Sequence, residues 1–267
     1  MSHPKRTIKL VISYDGTNFC GWQKQASDRT VQGEIEKCLS TMTTEDISVH
    51  SAGRTDAGVH AYGMVAHFSC TSQISCEVIL RGINSMLPGS IRLLDIMEVE
   101  ETFHARYHAI GKKYRYSIFT GKIQSPFLRL TSLHVTKDLN LDRITKCLNA
   151  LTGTHDFSSF ENSGSRDKTI TTGRGAIRTI HSALLIQPEK NHIVLEFTGD
   201  GFLKNMVRNI VGTLLEAGKE KLTEKEFIEI LMAKDRTKAK ETAPAHGLAL
   251  IEVYYDESSS ASLFFHC

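Results

Sequence analysis

The stretch SAGRTDAGVHAYG, residues 51–63, places two opposite charges, Arg54 and Asp56, inside a glycine-rich loop. Gly53 and Gly58 leave the backbone free to adopt unusual dihedral angles or to approach another molecule closely. An ionised aspartate can act as a nucleophile or remove a proton, and a permanently charged arginine can hold phosphates. An aspartate in such a loop more often only shapes a turn, so the loop alone does not establish chemistry.

A second charged residue, Arg208, lies in the helical pattern LKNMVRNIVGTLLEAG of residues 203–218. It lies well over a quarter turn from the centre of the apolar stripe, and Gly212 follows one turn later. Because its neighbours are mostly apolar or small, we expect a buried arginine that pairs with a carboxylate. We also expect Gly212 to leave open space beside it.

The elements that must position these residues occur in two similar halves. The first half alternates the strand patterns TIKLVISYD, ISVHSA, MVAHFSC and IRLLDIMEVE with helices that begin at Thr30 and at Cys76. The second half holds the strand patterns KKYRYSIFT, IRTIHSALLIQ, HIVLEFTG and LALIEVYY and the helix patterns LDRITKCLNALTG, LKNMVRNIVGTLLEAG and TEKEFIEILMAKD. The loop around Asp56 therefore joins two strands.

This order predicts an α+β fold of two ferredoxin-like halves, with antiparallel sheets side by side and helices on one face. We place the N-terminal domain at residues 1–108, with the Asp56 loop, and the C-terminal domain at 109–267, with Arg208. A cleft between the two halves is the expected place for a substrate.

Composition limits the class of protein. In 267 residues, 40% are hydrophobic and 23% charged, and the net charge is only +2, as in globular proteins outside membranes. No apolar run approaches the ~20 residues of a membrane helix, and no cleavage site follows the N-terminal stretch, so we expect a cytoplasmic protein. Six scattered cysteines predict reduced thiols. His104 and His108 are four residues apart and could share a helix face, but HEXXH is absent and we expect no metal site.

Basic residues cluster in three segments, 111–116, 166–178 and 234–240. Such clusters can follow a polyanion such as RNA, although lysine-rich runs are often only solvated surface. The candidates for phosphate contacts are Lys112, Lys113, Arg174 and Arg178.

Several segments resemble one known family in the expected order. They are YDGTNFCGWQKQ, SAGRTDAGVHA, FHARYHAIGKKYRY, GTHDFSSF, GDGFLKNMVRNIVGTL and APAHGLALIEVYY. Together they are similar to the tRNA pseudouridine synthase A family over almost the whole chain. The tail ESSSASLFFHC, residues 257–267, is the main unmatched part, and we expect it to be variable or disordered.

The resemblance implies an isomerase, an intramolecular transferase that converts uridine to pseudouridine at positions 38 to 40 of the tRNA anticodon stem-loop. It implies no metal or cofactor, tRNA as partner, and a homodimer. By resemblance, Asp56 is the catalytic aspartate and Tyr114 stacks on the target base. Arg208 pairs with Asp56, and Arg54 helps to displace the target nucleotide.

The implied reaction needs groups of these kinds. A stacked uridine must be flipped out, which costs a few kcal/mol, and an arginine can fill the space it leaves. Asp56 then adds to the nucleotide or takes a ribose proton, and the sequence leaves both routes open. Either route needs an ionised Asp56 in a cleft that excludes water, and a nearby Arg208 favours that form. Tyr114 offers an aromatic face that retains the detached uracil.

Two other classes remain as alternatives. Ferredoxin-like sheets also build RNA-recognition modules that bind without catalysis, but the K/R-G-F/Y-G/A-F signature of those modules is missing. A phosphate-processing enzyme would use the glycine loop at the start of a helix, but this loop joins two strands and G-x-x-x-x-G-K is absent. His60, His67 and His104 are interpreted as structural or RNA-contacting side chains.

Overall fold

The computed structural model describes residues 4–162 and 173–256. Within these residues the chain is a mixed α/β protein with ten strands and five α-helices. The elements form two compact units, residues 4–111 with 250–256 and residues 112–249 apart from the undescribed segment. The tail 257–267 and the part of the basic cluster at 166–172 lie outside the described residues.

The first unit begins with the predicted order of strand, helix, strand, strand, helix, strand. These elements are β1 (Arg6–Tyr14), α1 (Val31–Thr43), β2 (His50–Ser51), β3 (His60–Cys70), α2 (Cys76–Met86) and β4 (Ile91–Val99). The predicted start of α1 at Thr30 is confirmed, because the Thr30 side chain accepts a hydrogen bond from the backbone N–H of Gly33. Ser75 caps α2 in the same way through the N–H of Val78.

The sheet of the first unit has the order β4-β1-β3-β10, with β2 paired to β3. The last of these strands is β10 (Leu248–Tyr255). β1 is antiparallel to both β3 and β4. Its alternate residues Ile8, Leu10 and Ile12 are fully buried, so one face of the sheet belongs to the core, while Lys9 projects from the other face.

The second unit carries the remaining elements. They are β5 (Ala109–Phe119), β6 (Leu133–His134), α3 (Leu141–Asn149), β7 (Gly153–Asp156), β8 (Ile177–Glu189), β9 (His192–Gly199), α4 (Met206–Gly218) and α5 (Glu224–Ala233). Its sheet has the order β5-β9-β8-β7, and β6 adds to β5 in the parallel direction. The helices α3, α4 and α5 pack on one another, and α3 also packs on β8.

Three elements differ from the sequence pattern, and one of them is the two-residue strand β6, which the pattern does not predict. The helix predicted to end just before Gly153 ends at Asn149, and Gly153, with a φ of +109°, begins the unpredicted strand β7. The pattern LALIEVYY is a strand as predicted, but from Leu250 onward it belongs to the first unit, where it pairs with β3. Periodicity identifies a strand, whereas its partner depends on long-range packing.

The described cysteines, Cys20, Cys38, Cys70, Cys76 and Cys147, are free thiols, and Cys267 lies outside the described residues. In the part of the chain that the structure describes, none of the helices has the length and apolar character needed to cross a membrane.

Candidate active site

The Asp56 loop, residues 52–59, connects β2 to β3 in the first unit. Thr55 is buried in the middle of this loop; its hydroxyl lies 2.8 Å from the Tyr14 hydroxyl, and its carbonyl accepts from the Trp22 N–H at 3.1 Å. On either side of this anchor, Arg54 is exposed and Asp56 is half-buried. The loop is therefore fixed through its middle residue, with the two charged side chains next to the fixed point.

Two glycines of the segment between β1 and α1, Gly16 and Gly21, contact the backbone of this loop directly. A Cβ atom at Gly16 would lie 2.0 Å from the Val59 carbonyl oxygen, and one at Gly21 would lie 2.6 Å from the Thr55 carbonyl oxygen. Gly21 also has a φ of +87°, which disfavours any residue with a side chain. Because no side chain fits at either position, the Asp56 loop can approach this segment only while both are glycine.

A histidine next to the loop makes a second contact with the same segment. The Nδ1 atom of His60 lies 3.1 Å from the Gly16 amide nitrogen and 3.2 Å from the Asp15 Oδ1 atom. An unprotonated Nδ1 accepts from Gly16, whereas a protonated one donates to Asp15. Although burial opposes it, hydrogen bonds from Thr17 and the charge of His60 hold the pKa of Asp15 below its usual value.

Tyr114 lies in β5 of the second unit, buried and opposite Phe197 of β9. Its ring meets the Phe202 ring edge-on, with centroids 5.0 Å apart and an interplanar angle of 77°. Strand alternation puts Lys112 on the same face of β5 as Tyr114, and Lys113 on the opposite face. There, Lys113 lies 3.7 Å from the carboxylate of Glu196, so Lys112 and Lys113 project from opposite faces of the sheet.

Arg208 projects from the first turn of α4 and is half-buried. Its Nε donates to the Ala243 carbonyl at 2.8 Å, and its Nη1 donates to Asn205 Oδ1 at 3.0 Å. The backbone N–H of Ala243 in turn donates to the Arg208 carbonyl at 3.1 Å. The strap formed by residues 241–243 therefore orients the guanidinium.

The expected open space beside Gly212 is wrong. A Cβ atom there would lie 1.8 Å from the Glu241 carbonyl oxygen, because the 241–243 strap occupies that space. A glycine again permits the backbone contact, as in the Asp56 loop.

Asn209, fully buried in α4, ties the same strap down. Its Oδ1 accepts from the Thr242 hydroxyl at 2.6 Å and from Arg236 Nη2 at 3.0 Å, and its Nδ2 donates to the Phe160 carbonyl at 2.8 Å. All polar atoms of this amide side chain thus have partners on three separate segments.

Tyr114 and Arg208 lie on the same side of β5. Tyr116, two residues after Tyr114 on the same face, donates through its hydroxyl to the Pro244 carbonyl at 2.9 Å, next to the carbonyl that Arg208 binds. Burial raises the pKa of Tyr116, and the charge of Arg208 opposes that rise. Tyr116, beside the aromatic candidate Tyr114, and Arg208 thus bind neighbouring peptide groups.

Comparison with known proteins supplies the decisive observation. The family model described as tRNA pseudouridine synthase matches residues 10–108 and 148–256, well over half of the chain. The chain belongs to this family. It is similar to "tRNA pseudouridine synthase A 1" of Desulfotalea psychrophila, with 52% identity over 94% of this chain and 100% of that relative.

A second relative, "tRNA pseudouridine synthase A" of Ligilactobacillus salivarius, is 44% identical over 94% of this chain and 96% of its own length. A solved Cbf5–Nop10–Gar1 complex aligns with a TM-score of 0.38 at 10% identity, over 91% of this chain and 48% of that chain, which is too weak to carry an argument. Since pseudouridine synthases are isomerases, the chain is an isomerase of tRNA modification.

The remaining basic candidates of this enzyme lie around Gly201. Arg174 forms an ion pair with Asp200 at 2.7 Å, and both Arg174 and Arg178 lie against the Gly201 backbone. Lys112 pairs in register with Gly199, so it lies at the same end of β9. The second unit therefore brings Lys112, Arg174 and Arg178 to one end of its sheet.

The 103–108 turn of the first unit depends on imidazole acceptors. His67 Nδ1 accepts from the Ala105 N–H at 3.2 Å, and His104 Nδ1 accepts from the N–H groups of Arg106 and Tyr107 at 3.1 and 3.3 Å. The segment is a turn, so His104 and His108 do not share a helix face. Among the described residues, no group of three metal-ligating side chains could hold a metal ion.

His67 should make the stability of the fold sensitive to acid. Burial, and then the charges of His104, His50 and His108, lower the pKa of His67 from 6.5 to about 4. Between pH 6.5 and 4, His67 is therefore protonated in the unfolded chain but not in the folded chain. Stability accordingly falls as the pH falls through this range.

We predict that the stability of His67→Asn falls less steeply as the pH is lowered, because the asparagine Oδ1 can replace the Nδ1 acceptor and does not titrate. Thermal denaturation of both proteins from pH 7.5 to 4.5 measures the difference. Parallel curves would contradict this role of His67.

A second prediction concerns the 241–243 strap. Thr242→Val removes the hydroxyl that binds Asn209 and Arg236, so the free energy of unfolding should fall by about 1–3 kcal/mol. Thr242→Ser keeps the hydroxyl and should lose much less. Urea denaturation of the wild type and both variants provides the measurement, and equal losses in the two variants would exclude the hydrogen bonds as the cause.

Proposed function

We propose that the chain isomerises uridine to pseudouridine at positions 38 to 40 of the tRNA anticodon stem-loop, with Asp56 as the catalytic aspartate. The observation that carries this proposal is the anchoring of the Asp56 loop by Gly16, Gly21 and Thr55. A loop held this closely keeps a half-buried carboxylate at a fixed position, as a reaction at one carbon atom requires.

In this proposal the target uridine is flipped out of the stem before it reacts. Arg54, exposed two residues before Asp56, enters the space that the base leaves and contacts the adjacent phosphates. Asp56 then acts on the ribose, as nucleophile or as base. Tyr114 holds the released uracil by stacking while it turns to present C5.

Arg208 is proposed to keep Asp56 ionised. A carboxylate in a site that excludes water tends to take up a proton, and a guanidinium opposes this by stabilising the charged form. The bonds from Arg208 to Ala243 and Asn205 support this role, because they occupy Nε and Nη1 and restrict the guanidinium to one orientation.

The finer features implied by the resemblance belong to the same proposal. Each unit is proposed to be a ferredoxin-like half, and the strand-helix-strand-strand-helix-strand order of the first unit supports this. The protein is proposed to act in the cytoplasm as a homodimer. Lys112, Lys113, Arg174 and Arg178 are proposed phosphate contacts, and the grouping of Lys112 with the two arginines favours these three over Lys113.

The test is pseudouridine mapping on an unmodified tRNA transcript, without added metal, after incubation with the wild type, Asp56→Asn or Asp46→Asn. Asp46 is an exposed aspartate of the same unit and serves as the matched control. We expect new pseudouridine in the anticodon arm with the wild type and Asp46→Asn, and none with Asp56→Asn, which should still fold and bind tRNA.

Product formation by Asp56→Asn at the wild-type rate would remove Asp56 from catalysis. If all three proteins bound tRNA and none modified it, the non-catalytic RNA-binding alternative would replace the proposed function.

A further inference from the structure

Tyr107 is an exposed aromatic residue whose ring is nevertheless held in place. Its side chain is 75% exposed, yet the ring stacks on the His104 imidazole with centroids 4.2 Å apart and an interplanar angle of 30°. A tyrosine on the surface ordinarily has free rotamers, so a fixed and exposed ring is suited to bind a flat partner with little loss of entropy.

The backbone beneath the ring is fixed as well. The N–H groups of Arg106 and Tyr107 donate to His104 Nδ1, and the Ala105 N–H donates to His67 Nδ1. The Tyr255 hydroxyl donates to the Ala105 carbonyl at 2.6 Å. Contacts from β3 and β10 therefore hold the 103–108 turn from below.

The His104 ring belongs to a cluster of three imidazoles. It lies 4.7 Å from the His67 ring and 6.1 Å from the His50 ring, and the His67 and His50 rings lie 5.3 Å apart. The buried Lys9 ammonium lies 4.8 Å from the centre of the Tyr255 ring, whose hydroxyl binds the turn. At the surface, Arg106 is exposed beside Tyr107, so an aromatic face and a guanidinium are offered together.

We propose that Tyr107 is a stacking platform for an unpaired base of the tRNA, and that Arg106 contacts a neighbouring phosphate. The combination of an exposed aromatic face and an arginine is how proteins commonly bind unpaired RNA bases, whose flat faces stack regardless of sequence. The proposal rests on tRNA being the substrate. It adds an RNA contact that lies outside the Asp56 loop.

This contact is remote from the reaction. β3 begins at His60, four residues after Asp56, and His67 follows seven residues later, about 23 Å along the strand at ~3.3 Å per residue, so only the β2 end of the Asp56 loop lies beside His67. The platform above His67 should therefore change the affinity for tRNA and leave the chemical step unchanged once tRNA is saturating.

The experiment measures the Kd for a tRNA transcript, and the single-turnover rate at saturating tRNA, for the wild type, Tyr107→Ala and Tyr107→Phe. We expect Tyr107→Ala to raise the Kd about 5- to 150-fold, the range for loss of one stacked base, at an unchanged rate. Tyr107→Phe keeps the ring and should bind like the wild type. Arg106→Gln should lower the dependence of log Kd on log salt by about one.

Phe127→Ala is the matched control, because Phe127 is 90% exposed and lies in the second unit. An unchanged Kd for Tyr107→Ala, or an equal loss for Phe127→Ala, would overturn the platform. A change of oligomeric state in Tyr107→Ala at unchanged tRNA affinity would also overturn it, in favour of a protein contact. Because Kd is measured apart from product, failure of the platform is distinguishable from failure of the proposed isomerisation.

Discussion

The position of Asp56 depends on a contact between two backbones that leaves no room for a Cβ atom. Gly16 and Gly21 lie so close to Val59 and Thr55 that any side chain would displace the loop. The hydrogen bonds of Thr55 with Trp22 and Tyr14 can form only because this approach is possible. The buried rings of Tyr14 and Trp22 pack on each other at the two ends of the segment that holds these glycines. The core of the first unit therefore determines the position of the half-buried Asp56 carboxylate.

In the second unit, a close backbone contact at a glycine likewise positions a charged residue, Arg208. Gly212 allows the 241–243 strap to lie directly on α4, and Asn209 fixes the strap through an amide whose polar atoms are all satisfied. The strap then offers the Ala243 carbonyl to Arg208. Long side chains such as arginine lose much entropy when they are ordered, and here that ordering is supplied by packing before any substrate binds.

Much of the fold followed from the sequence, because strands and helices have distinct apolar periods and Thr30 is a recognisable cap. The strand β7 was missed, since its four residues, which begin with a glycine, are too few to show a period, and the pairing of β10 with β3 depends on contacts distant in the chain. Arg54, Asp56, Tyr114 and Arg208 could be named from motifs. The roles of Gly16, Gly21 and Asn209 could not, although the glycines lie in the segment YDGTNFCGWQKQ, because a close backbone approach is visible only in three dimensions. The expectation of open space beside Gly212 failed for the same reason.

The most direct test moves the Asp56 loop while leaving the Asp56 side chain intact. Gly21→Ala introduces a Cβ atom 2.6 Å from the Thr55 carbonyl, whereas at Gly89 a Cβ atom meets nothing within 4 Å among the described residues, so Gly89→Ala is the control. The measurement is the single-turnover rate of pseudouridine formation at saturating tRNA, with folding checked by thermal denaturation. We predict a folded Gly21→Ala protein that binds tRNA but reacts at least about 100-fold more slowly, and a Gly89→Ala protein with the wild-type rate. A wild-type rate for Gly21→Ala would contradict the claim that this backbone contact positions the proposed catalytic carboxylate of Asp56.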